Sequence, residues 1–221
     1  MNLDFTSIID YIPFILEGIV TTLQFVSVSI LIGLVLGTIL AICKISSNKF
    51  LQVLANGYTS IFRGTPLLLQ LMLIHYAVPQ LTGYNTPAFV SAILAFGLNS
   101  GAYVSEIIRA GILAVDRGQQ EAAMALGVPA RPMMIHIILP QAFKNILPAL
   151  INEFITLTKE SSLVSTIGYL DLMRRAQIVE ANIYRSFEPL IFVGFIYWVM
   201  VFVLSKIGRM IERRLRQSDT R

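Results

Sequence analysis

Two carboxylates and a hydroxyl share one face of a strongly apolar stretch of the sequence. The stretch 141–158 could cross a membrane, yet it contains Glu153. A carboxylate costs a few kcal/mol at the centre of a bilayer, so it is expected to face a partner or a water-filled cavity. Thr156 and Glu160 follow at i+3 and i+7, which places the two carboxylates about 10 Å apart along one helical face. This face has the chemistry to receive a cation.

Glu153 also has a structural interpretation. A carboxylate at that depth could pair with Lys159, with Arg109 or with a residue of another subunit. A proton relay is a third interpretation, but no chain of titratable partners accompanies the carboxylates. The two histidines, His75 and His136, lie far apart and lack companion ligands, so no metal site is predicted.

The composition indicates what kind of structure holds these residues. Of the 221 residues, 55% are hydrophobic and only 14% are charged, and the mean hydropathy is +0.71. These values exceed what a soluble domain of this length could bury, so we predict an all-α integral membrane protein. Because no nucleic-acid-binding motif is present, we expect no nucleic acid as partner and take the basic residues as signals of membrane topology. Cys43, the single cysteine, excludes an internal disulfide.

Five apolar stretches approach or exceed the ~20 residues that a helix needs to cross the hydrocarbon core. The second is interrupted by Arg63-Gly-Thr-Pro66. This interruption predicts either a broken span whose backbone groups line a cavity, or an amphipathic cytoplasmic helix that turns into a short span. We predict one transmembrane domain, 1–221, with spans 18–43, 52–78, 88–114, 141–159 and 189–208, a cytoplasmic loop 116–140 and an external segment 161–188.

The distribution of basic residues predicts the orientation of the chain. The residues before Gly18 include three acids and no basic residue, unlike the start of a cleavable signal peptide, so we expect them to remain, and outside. With the N-terminus outside and the C-terminus inside, 13 of the 17 basic residues lie toward the cytoplasm. Five spans in this orientation satisfy the positive-inside rule.

Glu106 and Arg109 lie three residues apart near the inner end of the third span. This spacing places them on the same helical face, and in lipid such a pair must be buried or interfacial. We predict a structural ion pair. The alternative is that the pair couples the third span to the loop that follows it.

The loop 116–140 has strong signals for short helices. Asp116 can cap a helix that contains Glu121, and Gly127 followed by Pro129 should end that helix. A second short segment, with a proline in its first turn, is predicted to stop at Leu139-Pro140.

The loop resembles the EAA loop of ATP-binding-cassette (ABC) importer permeases. Glu121-Ala-Ala, three residues, Gly127, nine residues and Ile137-x-Leu139-Pro140 reproduce that pattern with its spacing. Three further segments are similar to those of the polar amino-acid subfamily: Arg63-Gly-Thr-Pro-Leu-Leu-Leu-Gln70, Tyr103-Val-Ser-Glu-Ile-Ile-Arg-Ala-Gly111 and Lys159-Glu-Ser-Ser-Leu163. The resemblance therefore covers nearly all of the chain.

The resemblance implies a type I importer fold in the bacterial cytoplasmic membrane, with two permease subunits around a central pathway. It also implies two ATPase subunits and a soluble extracytoplasmic amino-acid-binding protein as partners. This chain lacks the phosphate-loop motif Gly-x-x-x-x-Gly-Lys-Ser/Thr, so we expect no enzyme activity and no cofactor in it, with ATP and magnesium bound by the ATPase subunits. The coupling residues implied by the motif are Glu121, Ala122, Ala123, Gly127 and Arg131.

The subfamily resemblance implies a polar amino acid as cargo, and the Glu153 face favours a cationic one such as arginine, lysine or histidine. The candidate contacts are Glu153, Thr156, Glu160, Asn99 and the backbone near Leu67. Glutamine or another polar amino acid is the alternative cargo. A gradient-driven secondary transporter is an alternative function, although it would usually need internal repeats and more spans. A membrane-bound enzyme would need a recognisable nucleophile, base and orienting group, and the sequence has none.

Overall fold

The structure is a computed structural model that describes residues 4–216, and it contains no strand within them. Short 3-10 helices occupy Phe5–Tyr11 and Ser161–Ile167, and π-helical turns occupy Leu73–Ala77 and Met134–Ile138. The α-helices are α1 Ile12–Ile45, α2 Lys49–Gly64, α3 Leu67–Met72, α4 Val78–Thr82, α5 Ala88–Leu113, α6 Arg117–Ala125, α7 Ala130–Met133, α8 Leu139–Glu160, α9 Leu172–Ile183 and α10 Phe187–Arg216.

Five helical passages of the described chain are candidates to cross a membrane. Four are continuous: Phe5–Ile45, Ala88–Leu113, Ala130–Ile167 and Phe187–Leu215. The fifth joins Lys49–Gly64 to Leu67–Thr82 and is bent by 100°. The predicted all-α architecture is confirmed, with four candidate spans or five if the bent pair forms one span, and the chain breaks where Arg63-Gly-Thr-Pro66 predicts it.

The closest helix pair is formed by α1 and α5, because glycines allow their backbones to approach. A methyl group added at Gly33 would lie 2.7 Å from Ser100 Oγ, and one at Gly37 would lie 2.6 Å from Val104 Cγ1. Small residues at such positions are a common way for membrane helices to pack tightly. This pair borders the main hydrophobic cluster, to which Phe25, Phe96 and Leu157 contribute fully buried side chains.

The prediction that the loop's second helical segment stops at Leu139-Pro140 is wrong. The helix runs without interruption from Ala130 to Ile167. Pro140 has no N–H to donate to the carbonyl four residues earlier, but the π turn Met134–Ile138 widens the helix just before it, and Leu139 N–H bonds to Met134 O instead. The second helical segment of the loop and the fourth span are thus one continuous helix, whereas α6 is separate from it.

The segment 161–188 packs onto the N-terminal end of α1 through α9. Arg175 is buried and donates to Glu17 Oε2 (2.7 Å) and to Phe14 O (2.8 Å). Asp171 is also fully buried and caps α9, accepting hydrogen bonds from the N–H groups of Met173 and Arg174. Burial raises the pKa of the Asp171 carboxyl to about 6.

Candidate substrate and coupling sites

Glu153 lies in the interior of the helix bundle, at the middle of α8. Only 9% of the residue is exposed, and the groups that act electrostatically on its carboxylate are Ser100 of α5 and Glu160 of α8. Ser100 Oγ in turn packs against the backbone of α1 at Gly33. The carboxylate of α8 therefore faces α5 beside the contact between α5 and α1.

Glu153 forms no ion pair with any residue that the structure describes. Arg109 is engaged with Glu106, and Lys159 is exposed at the end of α8 beside Glu160. Neither of the two intrachain partners considered from the sequence therefore neutralises this carboxylate. Thr156 and Glu160 are partly buried on the same face.

Asn99 is buried but faces the break between α2 and α3. Its Nδ2 donates to Phe62 O and to Gln70 Oε1, both at 3.0 Å. Gln70 Nε2 donates to Phe62 O (2.9 Å), Thr65 O (3.1 Å) and Thr65 Oγ1 (2.8 Å). The two amides thus bind carbonyl groups that the end of α2 leaves without helical partners.

Gln70 was not among the sequence candidates, although a lone amide in the apolar run Leu67–Leu71 could have indicated it. Leu67 is 8% exposed, and its side chain belongs to the main hydrophobic cluster. Asn99 and Ser100 are neighbours in sequence, so the break and Glu153 lie against adjacent faces of α5. The structure therefore brings the candidate contacts to one region, with Asn99 bound to the broken segment.

Glu106 forms ion pairs with two cations near the C-terminal ends of α1 and α5. Arg109 donates to Glu106 Oε2 through Nε (3.0 Å) and Nη2 (2.8 Å), while Lys44 Nζ donates to Oε1 at 2.6 Å. Lys44 also donates to Ser105 Oγ at 3.0 Å, and its side chain is 1% exposed. Lys44 was not a sequence candidate; its position at the end of a long apolar run is the only local signal.

The EAA segment folds as a short helix with well-formed ends. Asp116 accepts from Gly118 N–H at 2.6 Å, which confirms the predicted cap. Gly127 has a φ of +73°, its N–H bonds to Met124 O, and the N–H of Val128 bonds to Ala123 O, which is a Schellman ending. This confirms that Gly127 terminates α6, whose last helical residue is Ala125.

The surface of α6 divides into a packed and an open side. Ala123 is 3% exposed, whereas Glu121 and Ala122 are exposed, as is Arg131 at the start of α7. Gln141 Nε2 donates to Gln119 Oε1 at 3.3 Å, a contact between α6 and the first turn of α8. The segment thus presents an open face to a partner while it contacts a membrane-spanning helix.

No group of three or more His, Cys, Asp or Glu side chains within residues 4–216 is arranged to hold a metal ion.

Comparisons with known proteins agree on the family. Residues 33–217 match the sequence model of the family described as "Binding-protein-dependent transport system inner membrane component". The chain is 56% identical over 219 residues to the arginine transport system permease protein ArtQ of Bacillus subtilis, covering 99% of this chain and 100% of that one. It is 50% identical over 204 residues to a putative glutamine transport system permease protein, GlnP, of Rickettsia felis, covering 92% and 94%.

A solved structure supports the same assignment at the level of the fold. The crystal structure of an amino acid ABC transporter with histidines superposes with a TM-score of 0.94 at 47% identity, covering 97% of this chain and 100% of the other. These findings exclude the alternatives of a secondary transporter and a membrane-bound enzyme. The chain belongs to the permease family of binding-protein-dependent ABC importers and is an amino-acid permease subunit of the bacterial inner membrane.

Proposed function

We propose that this permease imports a cationic L-amino acid, with arginine first among the candidates, and that α6 transmits the energy of ATP hydrolysis from partner subunits. The observation that carries the substrate proposal is Glu153, a buried carboxylate that no cation within residues 4–216 neutralises. Burying a charge is costly unless a partner of opposite charge meets it. The guanidinium or ammonium group of the cargo supplies that partner.

The remaining candidate contacts divide into direct and indirect roles. Thr156 and Glu160 extend the polar face of Glu153 toward the outer end of α8 and bind the cargo directly. The backbone at the start of α3, near Leu67, offers further polar groups. Asn99 acts indirectly, because the two hydrogen bonds that its Nδ2 donates go to the broken segment and keep that backbone in position.

Glutamine is the second candidate cargo. The similarity to the glutamine permeases of Rickettsia species, 48–51% identical, favours it. An uncharged amide can donate hydrogen bonds to Glu153 and Thr156 but cannot neutralise the carboxylate. The two candidates therefore respond differently to removal of the charge at Glu153.

Competition for uptake distinguishes these candidates. The twenty amino acids compete against labelled arginine in liposomes that hold the complete importer, for the wild type and for Glu153→Gln. We expect the variant to lose about tenfold or more of its preference for arginine over glutamine, because a charge-assisted hydrogen bond contributes ~1.5–3 kcal/mol. Glu160→Gln, on the same face but partly exposed, is the matched control and should lose less.

A binding measurement separates selection by the permease from selection by the binding protein. Labelled arginine is titrated into the permease–ATPase complex without the binding protein. Weaker arginine binding by Glu153→Gln supports the site, whereas unchanged binding together with unchanged competition contradicts it.

The coupling proposal rests on the open face of α6 and its fixed ends. In this proposal the N-terminus is outside and the C-terminus inside, so α6 lies in the cytoplasm. Two permease subunits, identical or related, then sit above two ATPase subunits that bind ATP and magnesium, and a soluble binding protein delivers the cargo from outside. Glu121, Ala122 and Arg131 meet the ATPase, and Ala123 and Gly127 preserve the shape of the helix.

Gly127→Val tests this coupling. A methyl group at Gly127 would meet no atom within 4 Å, so the substitution acts only through the left-handed backbone, at a cost of about 1–2 kcal/mol. We expect ATP hydrolysis to continue while the amount of amino acid imported per ATP falls.

The same substitution at Gly83 is the control. Gly83 also has a positive φ (+71°) and open space, but it lies in the loop between α4 and α5. Gly127→Asn, which tolerates the left-handed conformation, should keep most of the coupling. Normal import per ATP by Gly127→Val contradicts the proposed role of α6.

A further inference from the structure

One face of α10 changes from aromatic to basic along its length. At about 100° and 1.5 Å per residue, six of its residues lie within an arc of about 80° and extend over about 27 Å of the axis. They are Phe195, Trp198, Phe202, Lys206, Arg209 and Arg213, and all are exposed. We call them the α10 stripe.

The aromatic half of the α10 stripe is an ordered row of rings. The ring centroids of Phe195 and Trp198 lie 5.8 Å apart, as do those of Trp198 and Phe202. The exposed fractions of the three residues are 59%, 61% and 51%. This half belongs to the uncharged part of the fifth span, so its neighbours are apolar.

The basic half begins where the span ends. Lys206, Arg209 and Arg213 line a shallow cavity of about 280 Å³ together with Phe202 and Met210. None of the three cations has a hydrogen bond or an ion pair with another residue in the described part of the chain. Three cations around one cavity, directly after an apolar surface, fit a ligand with a negative head and an apolar tail.

The opposite face of α10 is already occupied by the protein. Val193, Ile196 and Met200 pack into the cluster that includes α9, and Gly208 packs closely on Ile151 of α8. A second copy is a poor occupant of the α10 stripe, because a twofold contact through it would bring the same three cations together. Charge complementarity therefore favours a lipid.

The geometry points to a binding site for an anionic phospholipid on the α10 stripe. The phosphate binds between Lys206, Arg209 and Arg213, and an acyl chain lies along Phe202, Trp198 and Phe195. In the orientation proposed above, the site faces the cytoplasmic leaflet, where anionic lipids attract basic segments that flank a span.

The single tryptophan of the chain lies in this stripe and can report on the site. The purified full-length chain is placed in phosphatidylcholine vesicles that contain increasing fractions of brominated phosphatidylglycerol or brominated phosphatidylcholine. Quenching of Trp198 fluorescence is recorded, with Trp198→Phe as the background. We expect the brominated phosphatidylglycerol to quench at a several-fold lower mole fraction than the brominated phosphatidylcholine.

Substitutions test whether the basic half of the α10 stripe causes the preference for the anionic lipid. In the triple variant Lys206→Gln, Arg209→Gln, Arg213→Gln, the two brominated lipids should quench Trp198 fluorescence equally. Should it fail to insert, Arg213→Gln alone should reduce the difference. Arg214→Gln is the matched control, because Arg214 is exposed at the same depth but points about 100° away from Arg213. Arg214→Gln should retain the difference in quenching between the two lipids.

Three outcomes overturn the proposal. Equal quenching of the wild type by the two lipids shows a surface in contact with bulk lipid only. Absence of quenching by either lipid shows that protein, such as a second copy, covers the stripe. An equal effect of Arg213→Gln and Arg214→Gln shows a general attraction of charge without a site.

Discussion

At the scale of single residues, helix capping and burial have opposite effects on the pKa of the Asp171 carboxyl. Its carboxylate caps α9, which favours the charged form, yet the residue is fully buried beside Tyr197, whose hydroxyl donates to Asp171 Oδ2 at 3.3 Å. Loss of solvent is the larger effect, so the pKa of this carboxyl rises from 3.8 to about 6. The folded protein therefore holds this proton more tightly than the unfolded chain does.

This difference predicts a pH dependence of stability. A raised carboxyl pKa contributes stability that is present below about pH 4 and is lost as the pH rises through about 6. Asp171→Asn keeps an acceptor for the cap but cannot ionise. Between pH 4 and pH 7, the free energy of unfolding of the wild type in detergent should therefore fall by up to about 3 kcal/mol relative to that of Asp171→Asn.

The control for this prediction is Asp10→Asn, an exposed carboxylate in the N-terminal 3-10 helix at the same end of the molecule. The free energy of unfolding of Asp10→Asn should follow that of the wild type across the pH range. Parallel curves for the wild type and Asp171→Asn would show that burial does not shift the pKa of this residue.

The ion pairs of individual charged residues were predictable from the sequence only where the two partners lie close together in the chain. Glu106 and Arg109 share a helical face, so their spacing reveals their contact. Lys44 meets Glu106 across 62 residues, and Arg175 meets Glu17 across 158. Such contacts depend on how helices pack, and the acids nearest to Arg175 in sequence are not its partners.

At the scale of elements, both π turns follow the same rule. Each contains one of the chain's two histidines at its third residue, and each precedes a proline four residues after that histidine: Pro79 after His75, and Pro140 after His136. The proline cannot bond to the histidine carbonyl, and the wide turn allows the helix to continue. The turn before Pro140 lies between the coupling segment and α8.

Pro140→Ala should alter that connection. Alanine restores the missing N–H, which lets the π turn relax to an α-helix and rotates the preceding segment by about 100°, the angle of one residue. We expect α6 to reorient and the amount of amino acid imported per ATP to fall. Spin labels at Leu126 and Asn145, both exposed, would report the changed distance.

Pro148→Ala is the matched control, because Pro148 lies inside α8 and has no π turn before it. It should leave the distance between the labels close to that of the wild type. An unchanged distance in Pro140→Ala would show that other contacts hold the π turn.

The position of the break in the second span was predictable, but its angle was not. Glycine and proline at Gly64 and Pro66 interrupt the helix through local chemistry. The bend of 100° also involves Gln70 and Asn99, whose amides bind carbonyls at the end of α2. In the same way, a proline usually indicates a helix end, so the uninterrupted helix through Pro140 could not be read from its local pattern.

At the scale of the whole molecule, the distribution of charge predicts which end of each span faces the cytoplasm. Tyr184 lies in the segment that is predicted to be external and is 93% exposed, whereas Leu126 lies in the loop that is predicted to be cytoplasmic and is 83% exposed. These residues therefore provide reporters for the two sides of the membrane.

Cysteine labelling in intact cells tests the orientation. In a chain with Cys43→Ala, a membrane-impermeant maleimide should label Tyr184→Cys and should not label Leu126→Cys until the membrane is opened. The reverse pattern would invert the proposed orientation and with it the cytoplasmic position of α6. Equal labelling after the membrane is opened is the control for reactivity.

The contact between Arg175 and Glu17 also has a consequence for synthesis of the chain. The N-terminal half of α1 packs against α9, so Glu17 can pair with Arg175 only after 158 more residues have been made. At ~5–20 residues per second, this wait lasts about 10 to 30 seconds. The C-terminal end of α1 can form its ion pair earlier, because Glu106 follows Lys44 by only 62 residues. The newly made bundle therefore closes first at the C-terminal end of α1, and Glu17 at the other end of this helix lacks Arg175 until nearly four-fifths of the chain has been translated.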